Sequence, residues 1–252
     1  MPISISAVHL ARTIFRTAYV AAIVGTPCAA QPATQPATQR TALTLQALPL
    51  APSRDSIAIL AGGRAVGSQT LTLERRADGL RFVDISAAAG ASMQQETEVL
   101  LAADGTMRRM HQVTRARGQV ATSDLSYADG RVRGTVMVPG PGGPQTIAVD
   151  TPVEPTTVDD NAFGAVLPAI PWTDGATFTL PVFVGGKNAL QTWTLAVTGR
   201  ETVTVPAGTF DTFRVAVSGG PSALTVNVQA AAPHRVVRIV PTGAPVEFAL
   251  AR

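Results

Sequence analysis

The stretch Val205-Pro-Ala-Gly-Thr-Phe-Asp-Thr-Phe-Arg-Val-Ala-Val217 (VPAGTFDTFRVAV) decides the fold class. Pro206-Ala207-Gly208 has the composition of a tight reversal. Proline pre-sets φ, and glycine accepts a backbone conformation that a side chain forbids. Thr209, Asp211 and Thr212 can bond the backbone groups that a turn frees. Beyond them Phe213, Val215 and Val217 alternate with polar or small residues, which is the period of a half-buried strand. Phe210 has the wrong parity for that face. Either a bulge lies near Asp211-Thr212 or Phe210 packs beneath the turn.

The same grammar runs outward along the chain. Turn signals recur at Gly62-Gly63, Asp78-Gly79, Asp104-Gly105, Arg117-Gly118, Asp129-Gly130, Pro139 to Pro144, Gly185-Gly186 and Gly219-Gly220-Pro221. Asp-Gly between alternating runs is a strong hairpin signal. In SQTLTLER, Leu71 and Leu73 share a face, and in QTWTLAVTG so do Trp193, Leu195 and Val197. In LRFVDIS the split is less clean, with Leu80, Phe82 and Asp84 opposing Arg81, Val83 and Ile85. The expected fold is mainly β: a long antiparallel sheet curled into an open half-barrel of about ten to twelve strands.

One segment departs from the alternation. TVDDNAFGAVLPAIPW (Thr157 to Trp172) has an Asp pair, then Phe163, Val166 and Leu167 at helical spacing, then prolines. Thr157 with Asp160 has capping-box spacing, and Pro168 would end the helix. A short helix or plug is expected near 158–168, between sheet sections at about 56–150 and 176–251. It either covers one mouth of the curved sheet or only joins the two halves.

Residues 1–30 read as a signal peptide. His9, Arg12 and Arg16 precede the apolar run Ala18 to Gly25, and small residues surround a cleavage point after Ala30. A lipidated Cys28 is the alternative, with Pro27 a poor neighbour for it. Residues 31–50 open with QPATQPATQR, a low-complexity Pro/Thr/Gln spacer, and 51–252 form a single β-rich domain. No later stretch reaches the length of a membrane-spanning helix. These features place the chain in the periplasm or outside the cell, with peripheral membrane contact open to it.

Composition excludes some function classes. The chain has 252 residues, a single cysteine and net charge +3. With Arg12 and Arg16 in the leader, the remainder carries 18 basic against 17 acidic side chains, so the calculated pI of 9.7 overstates its basicity. No basic stripe suits nucleic acid. There is no G-x-S-x-G elbow, H-E-x-x-H, P-loop or dinucleotide fingerprint. His111 and His234 lack a nucleophile motif or metal-ligand spacing, and Asp159-Asp160-Asn161 suits a helix cap better than a cation site. No catalytic residue, metal or cofactor is expected. Aromatics collect in the second half, where Phe163, Leu167, Trp172, Phe178, Trp193, Leu195 and Phe213 either line an apolar cavity or fill a core.

Gly199 to Val215 (GRETVTVPAGTFDTFRV), Ala232 to Leu250 (APHRVVRIVPTGAPVEFAL) and Gly62 to Arg76 (GGRAVGSQTLTLER) together resemble an uncharacterised family of bacterial envelope proteins. The shared marks are a Gly-Thr-Phe-x-Thr-aromatic-x-Val strand start, a later "proline, basic, Val-Val-Arg" strand and a terminal strand ending in leucine. Where that family often has a tyrosine, this chain has Ala230-Ala231-Ala232. The resemblance implies a fold similar to periplasmic lipoprotein carriers and receptors: an open barrel with a helical plug and an apolar cavity. It brings no catalytic residues. The expected function is a non-catalytic exported protein that binds or shields a lipid or acyl chain. A structural or interaction module with a filled core, and a hydrolase with an unrecognised site, are the alternatives.

Overall fold

The computed structural model describes residues 40–252. The expected signal peptide, Cys28 and the QPAT repeat lie outside the described residues. The described residues form sixteen strands: β1 (Arg40–Ala42), β2 (Ser53–Ala61), β3 (Arg64–Arg76), β4 (Gly79–Ala88), β5 (Met93–Ala102), β6 (Met107–Ala116), β7 (Gln119–Ala128), β8 (Arg131–Gly140), β9 (Gly143–Pro152), β10 (Val158–Asp159), β11 (Thr177–Val184), β12 (Ala189–Val205), β13 (Gly208–Ser218), β14 (Leu224–Gln229), β15 (Val236–Pro241) and β16 (Val246–Leu250). All belong to one sheet in the order β1-β11-β12-β13-β14-β15-β16-β2-β3-β4-β5-β6-β7-β8-β9, with β10 beside β11. The count exceeds ten to twelve because residues 224–250 form three short strands and because β1 and β10 are added.

The sheet is long, antiparallel and not closed into a barrel. β1 and β10 are the exceptions in direction, both pairing parallel to β11. Local turn chemistry writes most of the path. At Asp129-Gly130 both residues take positive φ (53° and 67°), the conformation that lets a two-residue loop follow the twist of its strands. The Pro139 to Pro144 run is the end of the β8–β9 hairpin: Pro139 pairs with Pro144 and Gly140 with Gly143, which leaves Pro141-Gly142 as the loop. The two halves are joined by a long-range pairing: β16 runs antiparallel to β2, with Phe248 opposite Ile59.

The segment 40–50 is built into the fold. Leu43, Leu45, Leu48 and Leu50 are buried, and β1 lies on the edge of β11. Low complexity therefore stops before this Leu-rich run, whose apolar side chains are enough to dock it.

Two apolar clusters hold the sheet. The larger runs through β3–β9, β11–β14 and the segment between β10 and β11. The smaller gathers Ile57, Ile59, Val203, Val205, Val237, Val246, Phe248 and Leu250. β12 serves both because its pairing with β13 shifts between Val197 and Gly199. Before the shift Trp193, Leu195 and Val197 enter the large cluster, and after it Val203 and Val205 enter the small one. Phe210, opposite Val203, packs beside them. Of the two expectations for Phe210, packing beneath the hairpin end is the outcome, and the bulge lies in the partner strand.

Candidate functional site

Directly opposite residues of an antiparallel pair share a face. One face of β3–β7 carries the row Leu73–Phe82–Val99–Met110–Leu125, each opposite the next. Across the sheet, Phe178 faces Leu195, Leu195 faces Val217, and Val217 faces Leu224. All nine side chains are buried in the large cluster. The trough of the curled sheet is therefore lined with aliphatic and aromatic groups.

The segment after β10 lies in this trough. Asp160–Ala162 forms a 3₁₀ turn, Phe163–Val166 a one-turn α-helix, α1, and Leu167–Ala169 another 3₁₀ turn. The α-helical turn stops just before Pro168, which takes the second position of the 3₁₀ turn that follows, where its missing N–H leaves no helical bond unmade. Phe163, Val166, Leu167, Ile170 and Trp172 are at most 6 % exposed. Phe163 meets Trp193 edge-on at 4.9 Å between centroids, and Trp172 meets Phe178 at 5.7 Å. The Trp172 indole N–H donates to the Leu167 carbonyl at 2.9 Å, so its polar atom is satisfied inside the core.

The entry to this insert is fastened by buried polar groups. Asp159 accepts from the Asn161 backbone N–H at 2.9 Å and from its side-chain amide at 2.8 Å. Asp159, not Thr157, is the cap, and the Thr157 hydroxyl is buried without a partner among the described residues. The Tyr127 hydroxyl donates to the other Asp159 oxygen. Burial raises the Asp159 carboxyl above its ordinary range, against these hydrogen bonds, which lower it. Burial and the facing carboxylate hold the Tyr127 phenol well above its usual value. Asn161 in turn accepts from the Gln112 amide at 2.8 Å. Sequence reading assigned Asp159 only a local capping role, because Tyr127, which binds Asp159, and Gln112, which binds Asn161, lie 32 and 49 residues from the groups they bind.

All seven residues expected to line a cavity or fill a core, Phe163, Leu167, Trp172, Phe178, Trp193, Leu195 and Phe213, meet in the large cluster. A half-open cleft of about 160 Å³ lies beside it, between Met107, Tyr127, Arg131, Val153 and Thr157. None of the seven lines it. Its volume is below the roughly 300 Å³ at which small-molecule sites begin.

The histidines stand elsewhere. His111, on β6, lies 3.7 Å from the Asp124 carboxylate, which also takes a two-pronged bond from Arg109. His234 has Nδ1 2.9 Å from the Gln229 carbonyl, with its ring beside Phe213. Among the described residues no group of three or more His, Cys, Asp or Glu is placed to hold a metal ion. No helix among them is long and apolar enough to cross a membrane.

No curated protein and no solved structure matches the chain. The sequence profile of a family described as proteins of unknown function, DUF3108, matches residues 56–247, from β2 into β16 and across the whole trough and insert. By that match the chain belongs to the DUF3108 family.

Proposed function

We propose that this chain is a non-catalytic exported protein of the bacterial envelope that binds or shields an apolar ligand, a lipid or acyl chain, in the trough of its curled sheet. The carrying observation is the insert. Five apolar side chains from a segment outside the main sheet ladders fill a trough whose sheet is not closed. That segment occupies the volume an alkyl chain would take. The two ends of the sheet, β1 and β9, are not paired with each other, so the trough can widen without breaking a ladder. The lipoprotein-carrier-like fold that the family resemblance of the sequence motifs implies is consistent with the same reading. So do the leader-like residues 1–30, which point to a periplasmic or secreted location.

Magnitudes allow an exchange. Each fully buried apolar side chain contributes about 1.5–3 kcal/mol, so the five together contribute on the order of 10 kcal/mol. A sixteen-carbon chain at about 0.8 kcal/mol per CH₂ offers on the order of 10 kcal/mol in return. Insert and ligand would compete on nearly equal terms, which is what reversible loading and release require.

A second reading, a structural or interaction module with a filled core, is favoured by the small cleft and by the burial of all seven expected residues. The two tryptophans separate the readings. Trp172 lies in the insert and Trp193 against it. Displacement of the insert by an acyl chain would shift tryptophan emission to the red in a saturable way. Native mass spectrometry of the exported chain would then show a lipid in defined stoichiometry. A compact protein that carries nothing and keeps its emission unchanged under excess lipid would establish the filled-core reading instead.

A further inference from the structure

The trough is apolar along only part of its width. Next to the row Leu73–Phe82–Val99–Met110–Leu125 runs the row Leu71–Asp84–Thr97–Gln112–Ser123, and next to that Gln69–Ser86–Gln95–Thr114. Seven of these polar side chains are at most 7 % exposed. They are linked to one another: the Gln69 amide and the Ser86 hydroxyl donate to Asp84 at 2.7 and 2.9 Å, and the Gln112 amide donates to Thr97 at 2.9 Å. Neither polar row contains an Arg, Lys or His. A core that served packing alone would place aliphatic groups here, because each buried polar group gains little even when it is fully bonded.

The insert matches this division. Asn161, at its start, is bonded to Gln112 in the polar rows. Gly164 passes over Phe82 and Leu71, and the apolar residues from Phe163 to Trp172 lie in the large cluster. The insert is thus laid out as a hydrogen-bonding head followed by an apolar tail. We infer that the ligand of the trough is an amphiphile with an uncharged, hydrogen-bonding head, such as the hydroxyl and ester group of a glyceride, which replaces Asn161 against Gln112 and Thr97 while its alkyl chain replaces Phe163 to Trp172. The inference rests on the apolar-ligand reading above and narrows it. An anionic head would meet a buried carboxyl, Asp84, with no cation in either row to offset it. A head with O–H donors and a carbonyl acceptor finds both kinds of partner.

Titrating the purified full chain with monoolein, oleate and methyl oleate, with tryptophan emission as the readout, tests this. Monoolein is expected to bind at least tenfold more tightly than oleate and more tightly than methyl oleate. Gln112→Leu should remove the preference for monoolein. Thr97→Val, nearly the same size, is the second variant should Gln112→Leu not fold, and it should reduce the preference in the same direction. Equal affinities for the three lipids, a preference for oleate, or an undiminished preference in a folded variant would overturn the neutral-head inference while leaving an apolar carrier intact. Binding of none of them would overturn both.

Discussion

The β12–β13 hairpin and the 158–172 insert are both short, chemically dense segments, but they are held in place by different means. The far end of the hairpin is made by its neighbours in the chain. Val205 faces Gly208 across a two-residue reversal, Thr204 and Thr209 share a hydroxyl contact at 3.0 Å, and Thr202 donates to Asp211 at 2.8 Å. The insert has three short helical turns and bonds of its own at Asp159–Asn161 and Trp172–Leu167, but these do not fix where it lies. Its place is set by Tyr127 and Gln112 from distant strands and by the large apolar cluster. A segment held locally is rigid wherever it is carried. A segment held by tertiary contacts can leave when something else satisfies those contacts, so in the proposed binding cycle the insert, and not the hairpin, is the part that would move.

The largest effect should come from the insert's deepest residue. Leu167 is fully buried, so Leu167→Ala should cost about 2–5 kcal/mol in denaturant unfolding. A loss below 1 kcal/mol would mean that the insert barely contributes to the folded state. The floor beneath it gives the next test. Burial pushes the Asp84 carboxyl from 3.8 up to about 6, although Gln69 and Ser86 pull it down. The folded state therefore prefers Asp84 protonated. That contribution is complete below about pH 4 and is lost as pH rises through about 6, on the order of 3 kcal/mol in all. The exposed ion pairs pull the opposite way with smaller weight. The difference in stability between the natural chain and Asp84→Asn, measured from pH 4 to 8, should thus move in favour of the variant as pH rises. A flat difference would place Asp84 in contact with water.

Tyr127→Phe removes one bond from the buried Asp159 and should cost about 1–3 kcal/mol. Its loss should be accompanied by faster hydrogen exchange in 158–172 and not in the hairpin; equal acceleration in both would erase the contrast between them. In the hairpin, Gly208 has φ +134°, where no neighbour but Phe210 comes near an added side chain. The cost of Gly208→Val is thus backbone strain, about 1–3 kcal/mol. Asp211→Ala, at an exposed site, should stay within about 0.5 kcal/mol. Equal small losses at the two positions in thermal melting would show that turn geometry does not hold the hairpin end.

Much of the architecture was legible locally. Asp-Gly and Gly-Gly turns marked the hairpins, and the parity of Leu71, Leu73, Trp193, Leu195 and Val197 placed each on the buried side. The uneven alternation of LRFVDIS has a structural cause. Asp84 belongs to the trough with Phe82, and Ile85, 51 % exposed, faces out. The polar rows were missed although their signal was present. Gln95 and Thr97 share the parity of Val99 and Leu101, but alternation alone cannot say whether a polar residue on the apolar parity ends the core or lines it. The cap at Asp159 was read from its neighbours, and the network beyond it was out of reach.

What the sequence determined by itself was most of the strands, their turns and the inward parity of the cleanly alternating ones, because these depend on φ preferences and a two-residue period that act over a few positions. Tertiary structure alone decided that β16 closes onto β2, that the shift at Gly199 turns one long strand between two cores, and that Gln112, Tyr127 and Asp159 meet beneath the insert. Those contacts join residues tens to nearly two hundred positions apart. Their free energy exists only once the sheet has curled, since no short segment can bury a carboxylate or fill a trough alone.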